Sequence, residues 1–152
     1  MTKIEQRLSP ILTGITAQYL VAGELSRRGH IASITLRNTK GIDVLASNTN
    51  ASKSVGIQVK GSQGRKYWLL NKSGEDYVAK SLFYVFVKLK DRDSRPDFYI
   101  VPSKVVARYV KHSHAKWLAT PGRRGQKHRD TPMRVYRDDK QVFLERWDLL
   151  GL

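Results

Sequence analysis

The stretch Gly41-Ile42-Asp43-Val44-Leu45, followed by Gly56-Ile57-Gln58-Val59-Lys60-Gly61, decides how this chain is read. Both halves alternate with a period of two, so each predicts a short strand. Ile42, Val44 and Ala46 fall on one side of the first strand, with Asp43 on the other. Ile57 and Val59 fall on the inner side of the second, which leaves Gln58 and Lys60 together on its opposite face. The link Asn48-Thr49-Asn50-Ala51 has the composition of a hairpin loop. A hairpin closed there brings a carboxylate, an amide oxygen and an ammonium to one spot.

Outward to the N-terminus, Ser9-Pro10 is a helix-start signal: a capping hydroxyl, then a residue whose fixed φ suits the first turn. Ile11, Ile15, Gln18, Ala22 and Leu25 recur at helical spacing and predict the buried stripe, with Gly29 ending the helix after Arg27-Arg28. Glu24 is rotated off that stripe within reach of Arg27 and Arg28, which predicts a solvated ion pair. His30 to Leu36 reads as a strand, and Arg37-Asn38-Thr39-Lys40-Gly41 as a basic turn before Asp43.

Toward the C-terminus, Gly61 to Lys66 predicts a flexible basic loop ending in Tyr67-Trp68. Such a loop suits a phosphate backbone; it equally suits a surface hairpin tip with Trp68 packed inward. Glu75 to Ser81 predicts a short helix. Leu82 to Val87 is an unbroken apolar run, the pattern of a central strand covered on both faces. Lys88 to Pro96 is a charged loop and Asp97 to Val101 a further strand. Pro102-Ser103 caps a second helix with Val105, Val106, Tyr109 and Val110 on its apolar side. Val142 to Leu150 is a short terminal element whose Trp147 and leucines plug the core. The order predicts an α/β or α+β fold around one central mixed sheet flanked by helices, as a single domain over residues 1–152.

With 28 Lys and Arg against 13 Asp and Glu in 152 residues, the net charge is +15. An excess of that size repels itself and points to a polyanionic partner, of which nucleic acid is the leading class. The absence of cysteine excludes a disulfide framework and a thiolate zinc site. No apolar run approaches the roughly 20 residues that span a bilayer, and the first residues lack the apolar core of a signal peptide. A cytoplasmic protein with no membrane partner is expected. From Lys104 to Arg137 ten cations, Arg134 among them, are opposed only by Asp130. Within that segment Arg123, Arg124, Lys127 and Arg129 form a basic loop; with Arg37, Lys40, Arg65 and Lys66 they are the candidate nucleic-acid contacts. His112, His114 and His128 read as surface histidines, because a His-x-His pair on a helix sends its rings to different faces.

A helix, a strand, Gly-Ile-Asp on a second strand and Ile-Gln-Val-Lys on a third resembles the core of the PD-(D/E)XK nuclease superfamily. That superfamily includes many restriction enzymes, Holliday-junction resolvases and small intron-encoded homing endonucleases. The resemblance covers residues 10–102 and implies a restriction-endonuclease-like core. It matches Asp43 to the metal-binding Asp, Gln58 to the second acidic position and Lys60 to the Lys. Gln18 falls where many members carry a Glu on the first helix, and the Val59 carbonyl becomes a further metal ligand. The implied activity is hydrolysis of DNA, most readily double-stranded, with Mg²⁺ or Mn²⁺ as cofactor and an in-line attack that leaves a 5′-phosphate. Lys60 would orient the attacking water or stabilise charge on the transition state. Cutting both strands of a duplex calls for two sites, hence a homodimer or higher homo-oligomer. Two departures stand out. Gln58 and Gln18 replace acids, so Asp43 alone brings negative charge, and magnesium is held weakly until a DNA phosphate joins it. A catalytically weakened or inactive nuclease-fold protein that keeps only nucleic-acid binding is the competing expectation.

Overall fold

The computed structural model of the chain describes residues 7–36 and 40–152. Helix α1 runs from Pro10 to Arg27, and the Ser9 hydroxyl accepts from the Leu12 amide at 3.2 Å. Gly29, at φ +87°, turns the chain out of the helix. The strands are β1 (Ile31–Ile34), β2 (Val44–Ser47), β3 (Ser54–Gln63), β4 (Trp68–Asn71), β5 (Leu82–Leu89), β6 (Asp97–Pro102) and β7 (Met133–Tyr136). Helix α2 spans Ser103–Ala119, and short 3₁₀ turns occupy Lys72–Glu75 and Trp147–Leu150.

Five strands form one sheet in the order β1-β2-β3-β5-β6, parallel between β3 and β5 and antiparallel elsewhere. β5 lies inside the sheet between β3 and β6, buried on both faces as its unbroken apolar run requires. Alternate residues of the sheet feed two cores. On one face Val44, Ile57, Val59, Val85 and Ile100 pack under α1, with Trp147 and Leu150 as the terminal plug. On the other, Tyr84, Phe86 and Val101 pack against Val106 and Val110 of α2 and against the antiparallel β4–β7 ribbon. The result is the mixed sheet flanked by helices that the sequence predicted, with a second small sheet added. Among the described residues, no helix is long and apolar enough to cross a membrane.

Four local expectations are corrected. Of the predicted stripe α1 buries Leu25 alone; its other buried residues are Thr13, Ala17 and Val21, and Ile11 is 71% exposed. The reason lies on β3: a Cβ at Gly61 would stand 2.9 Å from the Ala17 Cβ and 3.0 Å from the Thr13 carbonyl oxygen. Helix and strand approach too closely there for an isoleucine, so small residues face inward. The helix expected over Glu75–Ser81 is absent; instead, the 3₁₀ turn ends at Glu75. Glu75 is drawn to Arg134 on β7, and Ala79 is clamped by Ser103, whose hydroxyl accepts from its amide and donates to its carbonyl. Ser103 is therefore the first residue of α2 and not its cap. Arg134, one of the cations expected to be opposed only by Asp130, is instead buried with its Nε 2.6 Å from Glu75 Oε1.

Candidate active site

β2 and β3 form the predicted hairpin, paired from Val44↔Ile57 to Ser47↔Ser54 across the Asn48–Lys53 turn. Asp43 sits in a bend just before β2 and is fixed on three sides. Its amide donates to the Ile57 carbonyl (2.8 Å), its carbonyl accepts from the Thr35 amide (3.0 Å), and its Oδ2 accepts from the Val59 amide (2.7 Å). The carboxylate thus continues the ladder where the backbone of β2 has departed. The Thr35 hydroxyl donates to the Ile42 carbonyl at 2.5 Å and holds the bend from the β1 side. Gly41 opens the bend at φ +78°, and a Cβ there would meet the Tyr77 ring at 2.6 Å. Only glycine combines that backbone conformation with that contact.

On β3, Gln58 and Lys60 are half-buried and lie opposite Tyr84 and Phe86 of β5, on the face away from α1. Lys60 lines a groove of about 530 Å³ with Arg65, Tyr67 and the start of α1, and a second depression with Leu69 and Met133. It has no ion-pair partner among the described residues. The hairpin therefore brings Asp43 together with the Val59 backbone and sets Gln58 and Lys60 on one strand face. Gln18 is apart from them: it is half-buried on α1, which covers the opposite face. It shares no hydrogen bond with Asp43, Gln58 or Lys60 among the described residues.

The candidate oxygen donors are the Asp43 carboxylate, held on β3 by the Val59 amide, the amide of Gln58, the residue before Val59, and the Val59 carbonyl. In a strand, a residue's N–H and C=O point to the same side, so the Val59 carbonyl shares the edge on which its amide meets Asp43. No residue ahead of Val44 donates to it among the described residues. One Asp43 oxygen is engaged by an amide, yet an ionised carboxylate has acceptor capacity to spare. An all-oxygen donor set fits a hard divalent cation such as Mg²⁺ or Mn²⁺. Among the described residues no three His, Cys, Asp or Glu side chains cluster in a metal-binding arrangement, so the charge at this spot rests on Asp43.

Of the expected nucleic-acid contacts, Lys40, Arg65, Lys66, Arg123, Arg124, Lys127 and Arg129 are all exposed, while Arg37 lies outside the described residues. Trp68 packs inward and donates from Nε1 to the Val87 carbonyl at 3.0 Å, while Arg65 and Lys66 of the preceding loop face solvent; the loop is no hairpin tip, because β3 and β4 belong to different sheets. The Arg65 and Arg137 guanidiniums each lie over the Tyr67 ring, 5.6 Å from its centre. His114 is not a plain surface histidine. Its side chain is 10% exposed and its Nε2 is 2.8 Å from Asp130 Oδ1, a contact that holds the Asp130 carboxyl below the usual carboxylate range. Glu24 is likewise more than a solvated pair. Its carboxylate, 12% exposed, bonds Arg95 at 2.7 Å as well as Arg27 at 3.1 Å, and Arg95 also reaches Glu145 at 2.9 Å. The Arg95 hydrogen bond is the main reason the Glu24 carboxyl titrates below its ordinary range.

No family model and no curated protein sequence matches this chain. Solved structures do. The bacterial homing endonuclease I-Ssp6803I aligns over 95% of this chain and 94% of its own, with a TM-score of 0.55 at 16% identity. Hjc, a Holliday junction resolvase from the archaeal hyperthermophile Archaeoglobus fulgidus, aligns over 91% of this chain and 95% of its own, with a TM-score of 0.50 at 13% identity. At such identities the likeness is one of fold. The chain has the restriction-endonuclease-like fold that its central motif resembled, shared with nucleases in both cases.

Proposed function

We propose that this protein is a divalent-metal-dependent endonuclease that hydrolyses DNA phosphodiester bonds at the Asp43–Gln58–Lys60 hairpin. The observation that carries the reading is the Asp43 carboxylate, fixed by the Val59 amide onto the strand that bears Gln58 and Lys60. Asp43, the Gln58 amide oxygen and the Val59 carbonyl would hold the ion. When bound, Mg²⁺ or Mn²⁺ supplies Lewis-acid polarisation of the phosphate and a more acidic water. Asp43 brings the single formal negative charge, so the phosphate itself completes the charge balance, which couples ion retention to DNA. The Lys60 ammonium, not neutralised by a carboxylate among the described residues, donates to a phosphate oxygen or to the attacking water and stabilises charge that grows in the transition state. Lys40, Arg65, Lys66 and the Arg123–Arg129 loop hold the backbone on either side. The fold shared with a homing endonuclease and a junction resolvase supports DNA as the substrate. A duplex cut on both strands calls for two such sites, hence a homodimer or higher homo-oligomer; the cysteine-free composition accords with the cytoplasm.

The test is supercoiled plasmid with Mg²⁺ or Mn²⁺. Nicking is expected from the wild type, and EDTA or Asp43→Ala should abolish it. Nicking that persists in Asp43→Ala contradicts the assignment. The single carboxylate favours one second reading, a nuclease-fold protein that binds nucleic acid without cutting it. Under that reading the wild type does not nick, and Asp43→Ala leaves DNA affinity unchanged or raises it.

A further inference from the structure

The outer face of the β4–β7 ribbon is apolar and uncovered among the described residues. Leu69 and Val135 stand opposite each other in register, 40% and 39% exposed, and Met133 follows on the same face at 52%. α2 lays Trp117, His114 and Tyr109 along one side, and Tyr67 with Arg137 closes the other, enclosing a groove of about 510 Å³. Trp117 is 41% exposed, whereas Trp68 and Trp147 are buried.

The rim of this groove is cationic. Arg65 and Arg137 lie over Tyr67, and the loop carrying Arg123, Arg124, Lys127 and Arg129 is pinned to the same wall. Two contacts pin it: His128 stacks on Trp117 at 4.1 Å, and Asp130 bonds His114 at 2.8 Å. The groove adjoins the depression against Lys60, because Leu69 and Met133 line both.

We infer that this groove takes an unstacked nucleobase of the DNA strand whose phosphates pass Lys60, an inference that rests on the nuclease reading above. Aromatic and apolar walls accept the flat base, while guanidiniums on the rim accept the phosphates beside it. Ser113, Thr131 and Arg137 put hydrogen-bonding groups along the lining for a base edge. A second copy of this chain fits poorly, since docking groove to groove would set the same cations against each other.

The experiment measures affinity, in EDTA, for a short thymidine oligonucleotide and for an abasic strand with the same number of phosphates. The wild type should bind the base-bearing strand about tenfold more tightly, with quenching of the exposed tryptophan. Trp117→Ala should remove that difference and keep the abasic affinity, and Trp117→Phe, which retains a π face, should restore most of it. Equal binding of the two strands by the wild type overturns the proposal, as does a loss in Trp117→Ala that is equal for both. So does sedimentation in which Trp117→Ala dissociates an assembly while base dependence persists, because the groove would then be an interface between copies. Cleavage is not read here, so failure of this inference and failure of the nuclease reading are separate results.

Discussion

Arg134 and Lys60 are both cations on strands beside the same aromatic core, yet the fold treats them in opposite ways. Arg134 on β7 is fully enclosed: its Nε meets Glu75 at 2.6 Å, and its Nη1 is taken by the carbonyls of Thr131 and Met133. Lys60 on β3 stands half-buried on a groove wall with no ion-pair partner among the described residues. Asp43, the carboxylate its sequence context offers, is held by the Val59 amide instead. A cation removed from water must be neutralised within the fold. One that keeps contact with water is available to a substrate anion. The first arrangement serves stability, and we propose that the second serves chemistry.

Substitutions sharpen this contrast in order of size. Arg134→Ala should lose the most, about 3–5 kcal/mol in urea unfolding, because Glu75 is left in a site 14% exposed without its partner. A loss below about 1 kcal/mol would mean that Glu75 rehydrates and that the pair is no structural anchor. Gly61→Ala comes next, at roughly 1–3 kcal/mol, because its Cβ would press on Ala17 and the Thr13 carbonyl. Glu24→Gln should cost about 0.5–1 kcal/mol at neutral pH, given that Arg95 is 46% exposed. Its sign with pH is fixed. Arg95, then Arg27, lowers the folded-state carboxyl below its unfolded value near about 4.3. The contribution is therefore present above that unfolded value and fades as pH falls through the folded one. Melting curves of wild type and Glu24→Gln should converge in acid and separate near pH 7. Lys60→Ala should move stability least, by no more than about 0.5 kcal/mol.

How much of this was legible in the sequence depends on how local each interaction is. The hairpin and the doubly covered β5 strand were readable because alternation and an unbroken apolar run are properties of consecutive residues. The Ser9-Pro10 start of α1 was readable for the same reason. Which face of α1 turns inward was not, since Gly61 on β3 decides it. Arg134–Glu75, Arg95–Glu24 and His114–Asp130 were missed as well, because each joins side chains from different elements. Arg134 did carry one clue: it alternates with Tyr136 on a strand, which places it on the aromatic side. Asp43, Gln58 and Lys60 were proposed as site residues through their motif, and the placement of Asp43 against β3 and of Gln58 and Lys60 on one face of it followed from the alternation. That Asp43 would bond the Val59 amide depends on the bend at Gly41, which no periodicity displays.

The most direct test of the contrast is plasmid nicking by Lys60→Ala at a temperature well below its unfolding midpoint, beside wild type and with Mg²⁺ or Mn²⁺ present. The account predicts a variant as stable as wild type, still binding DNA, whose nicking falls by about a hundredfold or more. Nicking at the wild-type rate by that folded variant would contradict it and return Lys60 to the status of an ordinary strand-edge charge.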